Sequence, residues 1–177
     1  MYFERLTSAA HPLYTHAMEL YSTSFPMHEQ RREASQRRIL ADPAYQFLLI
    51  REGEEFVGEL LCWETETFLY VEHFCIRPEL RNRRYGQRAL ALLAARGKTV
   101  VLEIDPPVDE TSARRKGFYE RCGFVENPYP HVHPPYRAGN RGHELVVMSC
   151  PRTLPPEEYA AFAAYLQNRV MSGALED

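Results

Sequence analysis

A short arginine-rich stretch carries the strongest chemical signal in the sequence. Residues 80–90 read LRNRRYGQRAL, with four arginines and a single glycine. The stretch follows a hydrophobic, strand-like run and precedes an apolar helical repeat, which puts it at a helix N-terminus. Cations are disfavoured at that end of a helix, where the dipole and the unpaired N–H groups already present positive charge. A solvated charge run and a nucleic-acid patch are the alternatives, but this placement favours an anion held between the arginines and the backbone.

The strand before this stretch contains a carboxylate that could take part in proton transfer. Glu72 alternates with Tyr70, Phe74 and Ile76, so all four side chains are expected on one face of a sheet. A carboxylate in this position could act as a base, or it could be an ion-pair partner. His73 is expected on the opposite face, which favours a packing role for its ring.

Other polar side chains later in the chain are weaker candidates. Glu103 and Asp105 lie at the end of the next strand, where polar residues are common without any chemistry. His131, His133 and His143 include an HxH pair, but one further, distant histidine does not complete a firm ligand set. We therefore expect no metal site. The proline- and histidine-rich loop over 129–137 is expected to border a ligand pocket.

These residues need a sheet to position them. Three β-rich runs separated by short polar turns predict an antiparallel meander, and a helix followed by another strand predicts a parallel addition to it. The predicted fold class is α/β, with a central mixed, mostly antiparallel sheet flanked by helices. The predicted strands span 2–6, 45–50, 56–63, 68–76, 100–104 and 144–150, and the predicted helices 12–25, 33–40, 85–97, 112–122 and 155–172.

Composition narrows the class of protein. The chain has 177 residues and a formal net charge of −3, which argues against a surface built for nucleic acid, because that affinity depends on excess Lys and Arg. We expect one domain over 1–177, whose last helix packs on the body or on a second copy in a homodimer. Four scattered cysteines predict buried thiols. With no basic leader and no run of about 18 apolar residues, a cytoplasmic protein without a membrane span is expected.

At three places the sequence resembles the GNAT superfamily of N-acetyltransferases. RNRRYG at 81–86 is similar to the family's cofactor motif, Gln/Arg-x-x-Gly-x-Gly/Ala. EHFCIRPEL at 72–80 resembles the family's splayed central strand and its turn, and GFYERCGF at 117–124 resembles its FYExxGF helix end. Order and spacing fit over 2–150. The departure is Arg84, which stands where the family usually has the first glycine and must adopt a compatible backbone conformation without glycine's freedom.

The resemblance implies a splayed sheet, acetyl-CoA as co-substrate, and acetyl transfer to a primary amine in a ternary complex. It assigns the base to Glu72, acting directly or through water, and the general acid that protonates the departing thiolate to Tyr119. The acceptor is then a small-molecule or peptide amine, with neither nucleic acid nor membrane as partner. The alternative is a non-catalytic module that binds acyl-CoA. In either case, ten residues are expected to bind the cofactor: Phe74, Cys75, Ile76, Arg81, Arg83, Arg84, Tyr85, Gly86, Gln87 and Arg88.

Overall fold

Four antiparallel strands form the first half of the central sheet in the computed structural model, which describes residues 1–175. They lie side by side in the order β1 (Tyr2–Leu6), β2 (Tyr45–Glu52), β3 (Glu55–Glu64) and β4 (Phe68–Ile76). The turn between β2 and β3 is short, and Gly53 supplies its positive φ of 57°. Glu176 and Asp177, the last two residues of the predicted domain, lie outside the described residues.

Five further strands complete the β structure: β5 (Thr99–Ile104), β6 (Val125–Glu126), β7 (Val132–His133), β8 (His143–Glu144) and β9 (Val146–Cys150). β5 joins β4 in parallel, and β9 and β6 are added antiparallel beyond it, so the strand order is β1-β2-β3-β4-β5-β9-β6. β7 and β8 form a separate ribbon, in which β7 lies within the predicted loop over 129–137 and β8 follows that loop. The predicted mixed, mostly antiparallel sheet is confirmed.

The parallel strands β4 and β5 separate before they end. Their pairing runs from Phe68 opposite Thr99 to Val71 opposite Leu102 and then stops. The sheet is therefore splayed, as the family resemblance implies. The strands separate after Val71, five residues before β4 ends at Ile76. The C-terminal parts of both strands are left facing a gap.

Helices cover both faces of the sheet: α1 (Tyr14–Ser24), α2 (Glu33–Ile39), α3 (Tyr85–Ala94), α4 (Glu110–Arg121) and α5 (Pro156–Tyr165). Segments of α1, α2 and α5 pack on one face, around Trp63 and Phe162. Segments of α3 and α4 pack on the other face, around Leu60 and Leu93. Each such fully buried apolar side chain contributes about 1.5–3 kcal/mol to folding. Two apolar layers therefore hold the splayed strands from opposite sides.

Some helices begin or end at residues other than the predicted ones. At these places, side-chain caps and tertiary contacts set the helix boundary. α4 begins earlier than predicted because the Asp109 carboxylate accepts a hydrogen bond from the Ser112 N–H at 2.8 Å and caps the helix. The predicted helix 155–172 consists of α5 and a π-helical turn, Leu166–Val170, and its apolar stripe packs into the core of the body. Within residues 1–175, no helix is long and apolar enough to cross a bilayer.

Candidate active site

A cleft of about 1240 Å³ opens where β4 and β5 separate. The ends of the two strands form its floor, and the N-terminus of α3 together with α4 forms one wall. The end of α1, the segment that follows it and the loop over 133–136 form the other wall. The arginine turn, Glu72 and Tyr119 all line this cleft, so the fold brings the three predicted parts of the site together.

The arginine turn forms one end of the cleft. Arg84 is the N-cap of α3 and has a left-handed backbone, with φ 62° and ψ 10°. Arg84 thus adopts the conformation that glycine takes readily, at a cost of about 1–2 kcal/mol for a residue with a side chain. At Gly86, an added Cβ would lie 3.1 Å from the Phe118 ring, so this glycine allows α3 to approach α4.

Eight of the ten predicted cofactor residues line the cleft, whereas Arg83 and Arg88 do not. The Arg88 guanidinium binds both carboxylate oxygens of Glu52 at 2.9 Å. Its backbone N–H donates within the helix to the Arg84 carbonyl at 3.1 Å. The eight that line the cleft are Phe74, Cys75, Ile76, Arg81, Arg84, Tyr85, Gly86 and Gln87.

The edge of β4 that faces the cleft has no β5 partner beyond Val71. On its other edge, β4 pairs with β3 as far as Ile76, which lies opposite Gly58. A Cβ at Gly58 would collide with the Cys75 carbonyl oxygen, so glycine permits this close pairing. Burial raises the pKa of the Cys75 thiol, which stays protonated, and the four cysteines are all free. The cleft thus offers main-chain hydrogen-bonding groups to an extended ligand.

A β-bulge at Glu72 interrupts the regular alternation of β4. Leu61 of β3 pairs with His73, and the next β3 residue, Cys62, pairs with Val71. Glu72 is the extra residue between the two pairs, so the strand bends and its side chains change face there.

Because of the bulge, the side chains of β4 do not lie on the faces of the sheet that the sequence predicts. Phe74 and Ile76 pack towards α3, whereas Glu72 and Tyr70 lie on the α1 side, so the prediction that all four share one face is wrong. His73 also lies on the α1 side, not on the face opposite Glu72. Its ring is packed, as predicted, and makes edge-to-face contacts at 4.9 and 4.6 Å with the rings of Tyr21 and Phe25.

Glu72 is held by three hydrogen-bond donors. Its Oε1 accepts from Arg31 Nη2 at 2.8 Å and from the Tyr136 hydroxyl at 2.9 Å, and its Oε2 accepts from Trp63 Nε1 at 2.8 Å. Burial by itself raises the pKa of Glu72, but the charges of Arg31 and His73 and these hydrogen bonds outweigh it and lower the pKa to about 2. Glu72 is therefore a carboxylate at neutral pH with little tendency to accept a proton.

A second buried carboxylate, Glu103, lies near the end of β5 beside the cleft. It accepts short hydrogen bonds from the Tyr70 hydroxyl and from the His131 ring, whose Nδ1 is 3.0 Å from the Tyr159 hydroxyl. Burial raises the pKa of Glu103, but the neighbouring histidines and the Tyr70 hydrogen bond hold it below its usual range. The floor of the cleft thus carries two ionised carboxylates.

His133 is an imidazole of the cleft that the sequence patterns did not mark for proton transfer. Its Nδ1 lies 2.6 Å from the Pro134 carbonyl oxygen, which can only accept, so Nδ1 carries a hydrogen and Nε2 is the nitrogen that can exchange a proton with a ligand. Nε2 is 3.4 Å from the Tyr136 hydroxyl and 3.9 Å from Glu103 Oε2. The HxH pair was the available signal, but nothing local to it shows that His133 turns towards the carboxylates.

Tyr119 lines the same cleft from the last turn of α4. Its ring packs at 5.2 Å from the Phe118 ring and 5.7 Å from the Phe124 ring, both edge to face. Burial raises the pKa of Tyr119 to about 12, so its hydroxyl keeps its proton at neutral pH. Tyr119 is therefore in the protonation state that a general acid requires.

Sequence similarity assigns the chain to a family. The profile of the acetyltransferase (GNAT) family matches residues 10–124. The chain therefore belongs to the GNAT acetyltransferases, which confirms the resemblance seen in the arginine turn and its flanking motifs. A solved structure named "Putative acetyltransferase from GNAT family from Bacteroides thetaiotaomicron" matches with a TM-score of 0.90 and 30% identity, over 97% of this chain and 98% of that one.

Two more distant similarities agree with this assignment. The Bacillus subtilis (strain 168) protein named "Putative acetyltransferase YjbC" is 27% identical over 109 residues, which are 60% of this chain and 55% of that protein. The match thus spans about half the length of this curated relative. An aminoglycoside 6'-N-acetyltransferase crystallised with coenzyme A matches with a TM-score of 0.57 and 16% identity, over 84% of this chain and 96% of that one. At that identity the likeness shows the fold alone.

Proposed function

We propose that the protein is an N-acetyltransferase that transfers the acetyl group of acetyl-CoA to a primary amine. The observation that carries this proposal is one cleft that joins the arginine turn, the unpaired edge of β4 and a cluster of ionised carboxylates with a histidine. These three parts suit a phosphate, an extended arm and a cationic amine, in that order. Membership of the GNAT acetyltransferases supports the same reaction.

The pyrophosphate of the cofactor would bind at the N-terminus of α3. The N–H groups of a first helical turn have no acceptor within the helix, and Arg81 and Arg84 line the same end of the cleft. The pantetheine arm would extend along Phe74, Cys75 and Ile76, where β5 no longer covers β4. The thioester would then reach the floor of the cleft, between Tyr119 and His133.

The acceptor would bind on the α1 side of the cleft. Glu72 and Glu103 are ionised there, so their field would attract a positively charged amine. The ring of Phe25 lines the same side and offers an aromatic face to a cation. We infer that the acceptor is a cationic small molecule or a peptide with a free amino group.

We propose that His133 takes the proton of the bound amine. Its Nε2 lies 3.4 Å from the Tyr136 hydroxyl and 3.9 Å from Glu103 Oε2, and an imidazole exchanges protons near neutral pH more readily than other side chains do. Glu72, with its pKa of about 2, would attract and orient the ammonium group rather than remove its proton. The prediction that Glu72 itself is the base stays a prediction, and the variants His133→Gln and Glu72→Gln separate the two.

The reaction would then be a direct displacement at the thioester. The amine nitrogen forms a bond to the carbonyl carbon, the carbon–sulfur bond breaks, and the electron pair leaves with the coenzyme A thiolate. Tyr119 gives its proton to that thiolate and recovers one from solvent. The ammonium loses two protons, one before the attack and one after the carbon–nitrogen bond has formed, and both leave through His133 to solvent. The burial that raises the pKa of Tyr119 would also raise the pKa of a thiol formed beside it, so the two pKa values shift in the same direction.

Calorimetric titration with acetyl-CoA and with desulfo-coenzyme A, followed by coenzyme A release with a panel of amines, tests the proposal. The panel includes polyamines, aminoglycosides and short peptides. We expect micromolar binding of both nucleotides and coenzyme A release that depends on the amine. Binding without any amine-dependent release would instead support the non-catalytic acyl-CoA module. Binding that appears only in Arg84→Gly would show that Arg84 closes the site.

A further inference from the structure

Two histidines and two carboxylates meet at the mouth of the cleft and have no part in the proposed reaction. His28 and Glu29 belong to a single 3-10 turn, Met27–Glu29, in the segment after α1. Asp105 directly follows β5, and His143 begins β8. All four side chains line the cleft, although they come from three segments that are far apart in the chain.

The spacing of these side chains suits a metal ion. One ligand atom each of His28, Glu29 and His143 lies within 4.8 Å of the other two. His28 Nε2 is 3.5 Å from Glu29 Oε1, and His143 Nε2 is 3.4 Å from Asp105 Oδ1. Ligand atoms around a tetrahedral zinc ion with bonds of about 2.0–2.1 Å are about 3.4 Å apart. The His28 side chain is 58% exposed, so it has room for the small rotation that would close the cluster.

We propose that His28, Glu29 and His143 bind a divalent transition-metal ion, with Asp105 as the fourth ligand. Two imidazoles with carboxylates suit Zn²⁺ and its neighbours in the first transition row, whereas Mg²⁺ and Ca²⁺ prefer oxygen ligands alone. Arg115 donates to Oδ2 of Asp105 at 2.7 Å and leaves Oδ1 on the side of His143. Such a contact orients a ligating carboxylate from behind.

This site differs from the set of possible metal ligands considered from the sequence, which was His131, His133 and His143. His131 and His133 are buried beside Glu103, and neither belongs to the cluster at the mouth. Only His143 is shared between the two sets. A bound ion would connect the segment after α1 to β8 across the opening of the cleft. Metal binding at this site needs neither acetyl-CoA nor turnover. A test of metal binding is therefore independent of the proposed function.

Calorimetric titration of the metal-free, full-length protein with Zn²⁺ at neutral pH tests this proposal, with Mg²⁺ as the negative ion. The variants His28→Ala and His143→Ala each remove one ligand. His16→Ala removes an exposed histidine of α1 that does not line the cleft and serves as the matched control. Co²⁺ absorption then identifies the ligand type, and thermal melts without metal check that each variant is folded.

We expect one Zn²⁺ per chain, binding at least about tenfold weaker in both ligand variants and unchanged in His16→Ala. Co²⁺ should give the visible absorption of a tetrahedral site with nitrogen and oxygen ligands, and Zn²⁺ should raise the melting temperature of the wild type. No saturable binding, or equal binding in the wild type and both ligand variants, would overturn the site. A thiolate charge-transfer band with Co²⁺ would also overturn it, because the ligands would then be cysteines.

Discussion

Arg31 and Glu72 form a buried ion pair, with Arg31 Nη2 2.8 Å from Glu72 Oε1 and each side chain 1% exposed. The same Arg31 nitrogen donates to the Val170 carbonyl at 2.8 Å, and the guanidinium lies over the rings of Trp63 and Tyr136. Among residues 1–175, Arg31 Nε and Nη1 have no hydrogen-bond partner, and the aromatic faces are their neighbours, while Glu72 balances the charge of the guanidinium. The pair joins the bulge of β4 to the segments packed on the α1 face.

Glu72→Gln should strongly destabilise the fold. Removing one member of a buried pair leaves the other charge uncompensated, at a cost of about 3–5 kcal/mol. Urea unfolding measures this loss. Glu158→Gln is the matched control, because it removes an exposed partner of Arg152 and should change the free energy of unfolding by less than about 1 kcal/mol. Similar stability of the two variants would show that the buried pair does not hold the bulge.

The same pair should make the stability sensitive to acid. The pKa of Glu72 is about 2 in the folded protein, against an ordinary value of 4.5. Because the folded pKa is depressed, the stabilisation is present above about pH 4.5 and is lost as the pH falls towards 2, on the order of 3 kcal/mol in all. Urea unfolding between neutral pH and about pH 3 should show this decline in the wild type and a smaller decline in Glu72→Gln. If the free energy of unfolding falls equally with pH in the wild type and in Glu72→Gln, other carboxylates cause the acid sensitivity.

Replacing Arg84 by glycine and by alanine separates backbone strain from charge. Glycine adopts the φ of 62° freely, so Arg84→Gly should be about 1 kcal/mol more stable than Arg84→Ala, which keeps the strain. Both variants lose the guanidinium, so both should bind acetyl-CoA more weakly if it contacts phosphate. Urea unfolding and calorimetry measure the two effects. Equal stability of the variants would contradict strain at this position.

Tyr119→Phe should lower kcat by about 10²- to 10⁴-fold and leave acetyl-CoA binding nearly unchanged, because only the proton donor is removed. The measurement is coenzyme A release under conditions where chemistry limits the rate. Tyr165→Phe serves as the control, since that residue does not line the cleft. An unaltered rate would remove Tyr119 as the general acid.

His133→Gln should lower kcat by about 10²-fold or more at neutral pH and recover part of it at high pH, where the amine is already deprotonated. Acetyl-CoA binding should be unchanged, and His16→Gln should behave as the wild type. The informative comparison is with Glu72→Gln, provided that it remains folded. If Glu72→Gln shows the recovery at high pH and His133→Gln keeps the full rate, Glu72 is the base, as the sequence predicted.

The sequence by itself determined the order of the helices and the longer strands, the mixed sheet and the arginine turn at the start of α3. Each of these depends on residues close together in the chain: apolar period, turn glycines and the polar residues at helix ends. It did not determine the two-residue strands β6 and β7 or the division of the predicted strand 144–150 into β8 and β9. Of the ten residues that the family resemblance predicts to bind the cofactor, eight line the cleft. Arg83 and Arg88 do not line it, and Arg88 is held by Glu52, which comes from a distant strand.

Only the tertiary structure decided how the side chains of the cleft are arranged. The bulge at Glu72 arises from the register of β4 against β3, so no pattern within β4 reveals it. Arg31 meets Glu72 across 41 residues, and His131 and His133 meet Glu103 through a loop with no regular period. Buried charges require partners wherever the fold supplies them, and those partners are set by packing between distant segments.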